Sequence, residues 1–285
     1  QVHVKQTAFN HQDTTHYHAK GDLRGRIKLH QTHTSDQLTQ QRSYQYATLV
    51  DKATPKIVRV RPTQTKIQSY DLQGAHLGTN TTHYNGYDAY DNVTQSVNTK
   101  IGAGLSHSLT KAISYVNNTH TWVLGLPSSI SSTAQQGSST KSTSKRFSYD
   151  TKGNVSQQVQ QPGQALALTT NYKYDGKGNA TQTKLSSASA TRTLTQTYAS
   201  NGVDLLTSTN ALGHQESWAF DGRCGLPKQY TDANGLITSF TYDSYCRKTQ
   251  QNLSTGAQVT WSYAYAQGQR ANVTMADHSV YAVTE

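Results

Sequence analysis

From Leu166 to Tyr174 every second position is apolar or threonine: Leu166, Leu168, Thr170, Tyr172 and Tyr174. The same alternation runs through Leu236, Thr238, Phe240 and Tyr242, and again through Val259, Trp261, Tyr263 and Tyr265. A period of two puts these side chains on one face of a β-strand. Threonine, valine and aromatic residues suit a pleated, half-buried surface. No long stretch carries a 3.6-residue period, and Thr, Ser, Asn and Gly are poor helix formers. The pattern predicts strands throughout.

The strands end in a phrase that recurs. An aromatic, a second aromatic two places on, an Asp and then Gly or Asn appear as Phe147, Tyr149, Asp150, Gly153 and as Tyr172, Tyr174, Asp175, Gly178. A degenerate copy follows at Tyr198, with Asn201-Gly202 behind it. Further copies are Trp218, Phe220, Asp221 and Phe240, Tyr242, Asp243; the last, Trp261 and Tyr263, has lost its Asp. The second aromatics recur every 21 to 25 residues or so, the spacing of stacked supersecondary units. The aromatics are predicted as packing. The aspartates are predicted as turn formers, because a carboxylate can bond nearby backbone N–H groups while Gly or Asn accepts positive φ. Pro162-Gly163, Leu212-Gly213, Asn234-Gly235 and Ser254-Thr-Gly256 mark a second reversal within each period. Each unit then reads as a hairpin, and successive hairpins stack into a β-strip or solenoid.

Upstream the pattern is less regular. Residues 1–100 are predicted as irregular strands, with turns near Pro55, Pro62, Gly74, Gly78 and Asn85-Gly86. Residues 101–145 are predicted as a connector followed by a Ser/Thr-rich loop, with one strand at Trp122. Residues 146–285 form the repeat array.

The repeated phrase resembles the Rhs/YD-repeat family. The matching residues are Tyr149-Asp150 with Gly153-Asn154, Tyr174-Asp175 with Gly178-Asn179, Phe220-Asp221 and Tyr242-Asp243. Asn210-Ala-Leu-Gly213-His214, Gly225-Leu226-Pro227 and Thr231-Asp-Ala-Asn-Gly235 are similar to the family's intervening phrases. Trp122-Val-Leu-Gly-Leu-Pro127 is similar to one that precedes the array in Rhs chains and in the B/C components of insecticidal toxin complexes. The resemblance implies an all-β fold, part of a curled sheet or cage. It implies a non-catalytic, structural section of a bacterial shell, secreted or on the cell surface, that encloses or presents a toxin or other effector. The implied partners are the remainder of a longer Rhs-type chain and that effector.

The residues by themselves allow a different class: an extracellular adhesin or filament subunit. Two open sheet edges could self-associate, and exposed Tyr and Trp could stack on a glycan. Mass in solution separates the two readings.

Composition narrows the field further. Only 33% of residues are hydrophobic and 15% charged, but there are 18 tyrosines, which bring both apolar area and a hydroxyl. The chain should fold around aromatic and polar ladders, without a thick aliphatic core. The formal net charge is +10, and Lys52, Lys56, Arg59, Arg61 and Lys66 are its densest group. No recognition helix or single-strand-binding motif accompanies them, so a solvated edge is favoured over a nucleic-acid surface. No run of about 20 apolar residues marks a membrane span. His16 and His18 could be half a metal site, but no carboxylate or cysteine set completes it. Ser108 stands where a nucleophile elbow needs its second Gly. No acid pair, triad or cofactor motif has suitable spacing. Cys224 and Cys246 each follow the repeat Asp by three residues. That spacing fits a disulfide between adjacent turns or two free thiols.

Overall fold

A computed structural model describes residues 2–8, 11–50, 58–264, 270–275 and 280–284, with side chains for 11–50 and 58–263. Tyr265, Lys52, Lys56 and Pro55 lie outside the described residues. The chain is all-β and divides into two compact units, Gln1–Ser148 with Val159–Gly163, and Tyr149–Gln158 with Gln164–Glu285.

The strands run β1 (Val2–Ala8), β2 (His11–Tyr17), β3 (Ile27–Thr34), β4 (Gln37–Val50), β5 (Val58–Tyr70), β6 (His76–Tyr87), β7 (Val93–Gly102), β8 (Leu105–Asn118), β9 (Val123–Gln136) and β10 (Ser139–Tyr149). They continue as β11 (Val155–Gln160), β12 (Leu168–Tyr174), β13 (Ala180–Ser186), β14 (Thr191–Tyr198), β15 (Leu205–Thr209) and β16 (Gln215–Phe220). The last are β17 (Pro227–Thr231), β18 (Ile237–Tyr242), β19 (Lys248–Leu253), β20 (Gln258–Ala264), β21 (Arg270–Met275) and β22 (Val280–Thr284). A single 3-10 turn at Gly21–Leu23 is the one helical element among the described residues.

In the first unit β1 to β10 pair antiparallel, each with its neighbour in sequence. In the second, β12 to β22 do the same. Strands β4 to β9 hold 10 to 14 residues, whereas β12 to β19 hold 5 to 8.

Two expectations are corrected. Residues 101–145, read as connector and loop, are mostly strand: β8 and β9 pair from His107↔Gln136 to Asn118↔Val123, and β9 and β10 from Ser139↔Gln136 to Arg146↔Ser129. Ser, Thr and Gln there look like loop composition only if strands must be apolar. In a sheet with no fully buried face, threonine and serine are good strand residues. The turns expected at Pro62, Gly78 and Asn85-Gly86 are also strand interior. Pro62 pairs with Tyr46 where the register shifts, and two further shifts flank Gly86. A bulge lets the ladder absorb a residue that cannot bond regularly.

Neither unit has a conventional core. Among the described residues no apolar side chain is buried, and Thr170, at 8% exposure, is the sole buried residue. Within each unit the described strands pack on their sequence neighbours, and the 3-10 turn packs against β4 and β5. Cohesion therefore comes from cross-strand pairs. Asn98 donates to Asn80 and Thr82, Gln157 to Asn171, and Gln258 to Asn252. The high Asn, Gln and Thr content is these polar ladders.

Candidate functional site

The repeat turns share one construction. In the first copy the Asp150 N–H bonds the Asn154 carbonyl and the Gly153 N–H bonds the Asp150 carbonyl. Oδ1 of Asp150 accepts from the N–H groups of Lys152 (2.8 Å) and Asn154 (2.9 Å), and Oδ2 from the Asn154 side chain (3.0 Å). Gly153 sits at φ 88°, which glycine takes without steric cost. This is a three-residue hairpin loop closed by a left-handed residue. Asp175 repeats it with Lys177, Gly178 and Asn179. Asp221 accepts from Arg223 and Cys224, and Asp243 from Tyr245 and Arg247. The degenerate copy has Ala199 at the Asp position, and Asn201 caps the loop instead by accepting from Val203 and Asp204. The turns at Asn210 and Asp232, at the other end of the second unit's strands, use the same device, as does the Asp71 turn of the first unit.

Immediately before each turn the register shifts, and it shifts at the second aromatic: Tyr174, Tyr198, Phe220 and Tyr242. In the first unit the register also shifts at Tyr17, Tyr46, Tyr87 and Tyr115. Six tyrosine hydroxyls, those of Tyr46, Tyr87, Tyr115, Tyr174, Tyr242 and Tyr263, follow a rule. Tyr46 donates to the carbonyl of Ile27, which pairs with Tyr17; Tyr87 donates to Pro62, which pairs with Tyr46. Tyr115 donates to Val93, the partner of Tyr87, and Tyr174 donates to Val155. Tyr242 donates to Pro227, the partner of Phe220, and Tyr263 to Lys248, the partner of Tyr242. Each of these six tyrosines thus clasps the backbone of the preceding repeat; Tyr198 keeps its hydroxyl but does not make the corresponding bond to Ala180, the partner of Tyr174. Phe220 lacks the hydroxyl that would reach Leu205, the partner of Tyr198. Phe220→Tyr should supply the missing clasp and raise the unfolding free energy of the second unit by about 0.5–1.5 kcal/mol. Chemical denaturation checks this, and a variant no more stable than the parent would refute the rule.

Cations lace the same rim. Lys152 Nζ donates to the Gly176 carbonyl one turn on, Lys177 Nζ to Ser200, and Arg223 to both Tyr242 and Asp243. The Asn179 side chain adds a bond to Gly202. Cys224 and Cys246 are joined by a disulfide, with Cα atoms 5.4 Å apart. In the first unit the predicted basic pair makes bonds of the same kind: Arg59 and Arg61 bond the carbonyls of Ala89 and Asp88, and both pair with the Asp91 carboxylate.

The first aromatics make different contacts. Tyr172 stacks on Tyr174 with ring centroids 6.3 Å apart, and Trp218 packs on Tyr230 at 5.5 Å. Copies five and six meet through a cation: Lys248 Nζ lies 4.6 Å from the Phe240 ring and 5.3 Å from Trp261. Phe147 is half-buried near the end of β10. His16 and His18 form no metal cluster, and no group of three or more metal-ligating side chains occurs among the described residues. A groove of about 650 Å³ in the second unit is lined by Thr183, Leu185, Arg192, Leu194, Asn210 and Leu212, with no carboxylate, histidine or cysteine. No helix among the described residues is long and apolar enough to cross a membrane.

The protonation states follow the geometry. Asp150 and Asp175 are held below the usual carboxylate range, first by the side-chain amides of Asn154 and Asn179. Asp221 is lowered first by the Cys224 N–H and then by that of Arg223. Burial by itself would raise Asp88 and Asp243, but bonds from Asn92 and Arg247 outweigh it and lower both. Burial raises Tyr46, Tyr87, Tyr115, Tyr149, Tyr174 and Tyr242 above the ordinary phenol value. A lowered carboxylate stabilises the fold above its unfolded pKa of about 4, and that stability is lost as pH falls through the folded value. A raised tyrosine stabilises below about pH 10, and its contribution is lost as pH rises through the folded value. Thermal midpoints should therefore be flat from about pH 5 to 9 and fall on both sides. A midpoint that continued to climb below pH 3 or so would contradict the turn assignment.

With this geometry in hand, the solved structures give a clear answer on fold. The chain is similar to a chain of the TcdB2-TccC3 crystal structure, with a TM-score of 0.64 and 10% identity over 93% of this chain and 21% of that one. The TcdB2-TccC3-Cdc42 crystal structure matches with a TM-score of 0.63 and 10% identity, over 85% of this chain and 16% of that one. A Photorhabdus luminescens Tc holotoxin pore gives a TM-score of 0.64, also at 10% identity and with the same coverage as the Cdc42 complex. This chain spans about a fifth or less of those chains. No family model and no curated protein matches it. The shared fold is the one that the Rhs/YD-repeat resemblance implies.

Proposed function

We propose that this chain is a wall section of a secreted bacterial Rhs-type shell, non-catalytic, which with the rest of a longer polypeptide encloses an effector. The observation that supports this best is a sheet with no buried apolar side chain among its described residues, laced from repeat to repeat near its turns. Such a sheet has little use for a hydrophobic interior of its own. It keeps its shape through regularly placed polar bonds, as a wall must if one face lines a cavity. The Tc toxin chains of the same fold support the reading.

Protease protection of the full-length secreted polypeptide tests it. An effector segment resistant to protease until the wall is unfolded is expected. An effector digested at once, with this chain polymerising as its concentration rises, would replace the wall with the self-associating filament.

A further inference from the structure

The turn at Asp243–Arg247 differs from its neighbours in one position. The residue whose N–H bonds back to the carbonyl of the turn's first residue takes positive φ, and in other turns of the second unit it is Gly153, Gly178, Gly202, Gly213, Gly235 and Gly256. Here it is Cys246, at φ 61°, the one non-glycine residue with positive φ among the described residues of the second unit. A side chain is disfavoured in that conformation and persists where something else holds it. Cys246 is bonded to Cys224, in the adjacent turn of the same rim. The Asp221 turn is one residue longer, so Gly225 takes positive φ there and Cys224 is left on the rim, facing Cys246. Both cysteines are half-exposed, within reach of a thiol reagent.

We propose that Cys224–Cys246 is a redox-sensitive latch: oxidised, it clamps two neighbouring turns of the rim; reduced, it lets the Asp243–Arg247 turn open. The reductant is a thiol or dithiol. Its thiolate attacks one sulfur, the S–S bond breaks and a mixed disulfide forms; the reductant's second thiol releases the other cysteine as its own disulfide closes. Two electrons and two protons reach the protein, which ends with two thiols. The Arg223 bonds to Tyr242 and Asp243 and the Tyr242 hydroxyl bond to Pro227 then remain, without the covalent tie between the two turns. A disulfide suits the oxidising exterior and is lost in a reducing cytosol. If the wall reading holds, on which this consequence rests, the section loosens after it enters a reducing compartment.

Hydrogen exchange on the intact chain, with and without dithiothreitol, tests the latch. Reduction should speed exchange about tenfold at residues 243–247 and the adjoining ends of β18 and β19, and leave the Asp71 and Asp88 turns unchanged. Cys224→Ser should match the reduced protein. Cys246→Gly, which relieves the backbone, should ignore the reductant and exchange more slowly than the reduced parent. Unchanged exchange on reduction overturns the proposal, as do two titratable thiols in protein purified without reductant, or loosening that spreads evenly over both units. None of these outcomes bears on the protease-protection result, so the latch and the wall fail separately.

Discussion

Truncating Tyr174 to alanine should destabilise the second unit by about 2–3 kcal/mol. The side chain does two jobs. Its ring stacks on Tyr172, and its hydroxyl donates to the Val155 carbonyl at 2.8 Å, across to the strand that follows the Asp150 turn. Tyr174→Phe keeps the ring and removes only the clasp, so it should cost about 1 kcal/mol. The difference between the two variants separates packing from hydrogen bonding. Urea denaturation followed by hydrogen exchange over residues 149–186 reads both. A phenylalanine variant as stable as the parent would mean that the clasp is incidental, and the wall reading would lose its main support.

Gly102→Val should cost about 2–3 kcal/mol and separate β6 from β7 locally. Gly78 and Gly102 pair directly across these strands. A Cβ on Gly102 would lie 2.8 Å from the Leu77 carbonyl oxygen and 3.3 Å from the Gly78 Cα; one on Gly78 would lie 2.9 Å from the Ile101 carbonyl oxygen. These are backbone atoms of a paired strand, so no rotamer change relieves the clash. Gly104, two residues on, is a contrasting control. It has φ 75° and nothing within 4 Å of an added Cβ, so Gly104→Ala should cost only the backbone strain, about 1–2 kcal/mol. Exchange across residues 76–102 should rise sharply in Gly102→Val alone. Equal effects at the two glycines would show that close approach of the strands does not matter.

The second unit was legible because its strands are short and even. Tyr149, Tyr174, Phe220 and Tyr242 recur at nearly constant spacing, and the Asp behind each advertises its turn. In the first unit the same Tyr-at-the-shift arrangement exists at Tyr46, Tyr87 and Tyr115, but strands of 10 to 14 residues stretch and vary the interval. A search for a fixed period passes over it. Of the three, only Tyr87 has an Asp directly behind it. The misreading of residues 101–145 has a related cause. Thr133, Ser142 and their neighbours look like a linker if burial is the test of a strand, yet Thr133 and Ser142 face each other across β9 and β10 and share a hydrogen bond.

The amino-acid order alone determined that this is a β protein, that aromatics and aspartates recur in step, and that two cysteines occupy equivalent turns. Those are local matters: alternation sets the faces of a strand, and Asp with Gly sets a loop. The tertiary structure decided which carbonyl each tyrosine reaches, which turn each lysine or arginine straps, and that Cys246 stands where its neighbours have glycine. Those depend on register between strands 15 to 30 residues apart. Register is the summed outcome of every bulge and pairing along the ladder, and a one-residue slip would send each side chain to the other face.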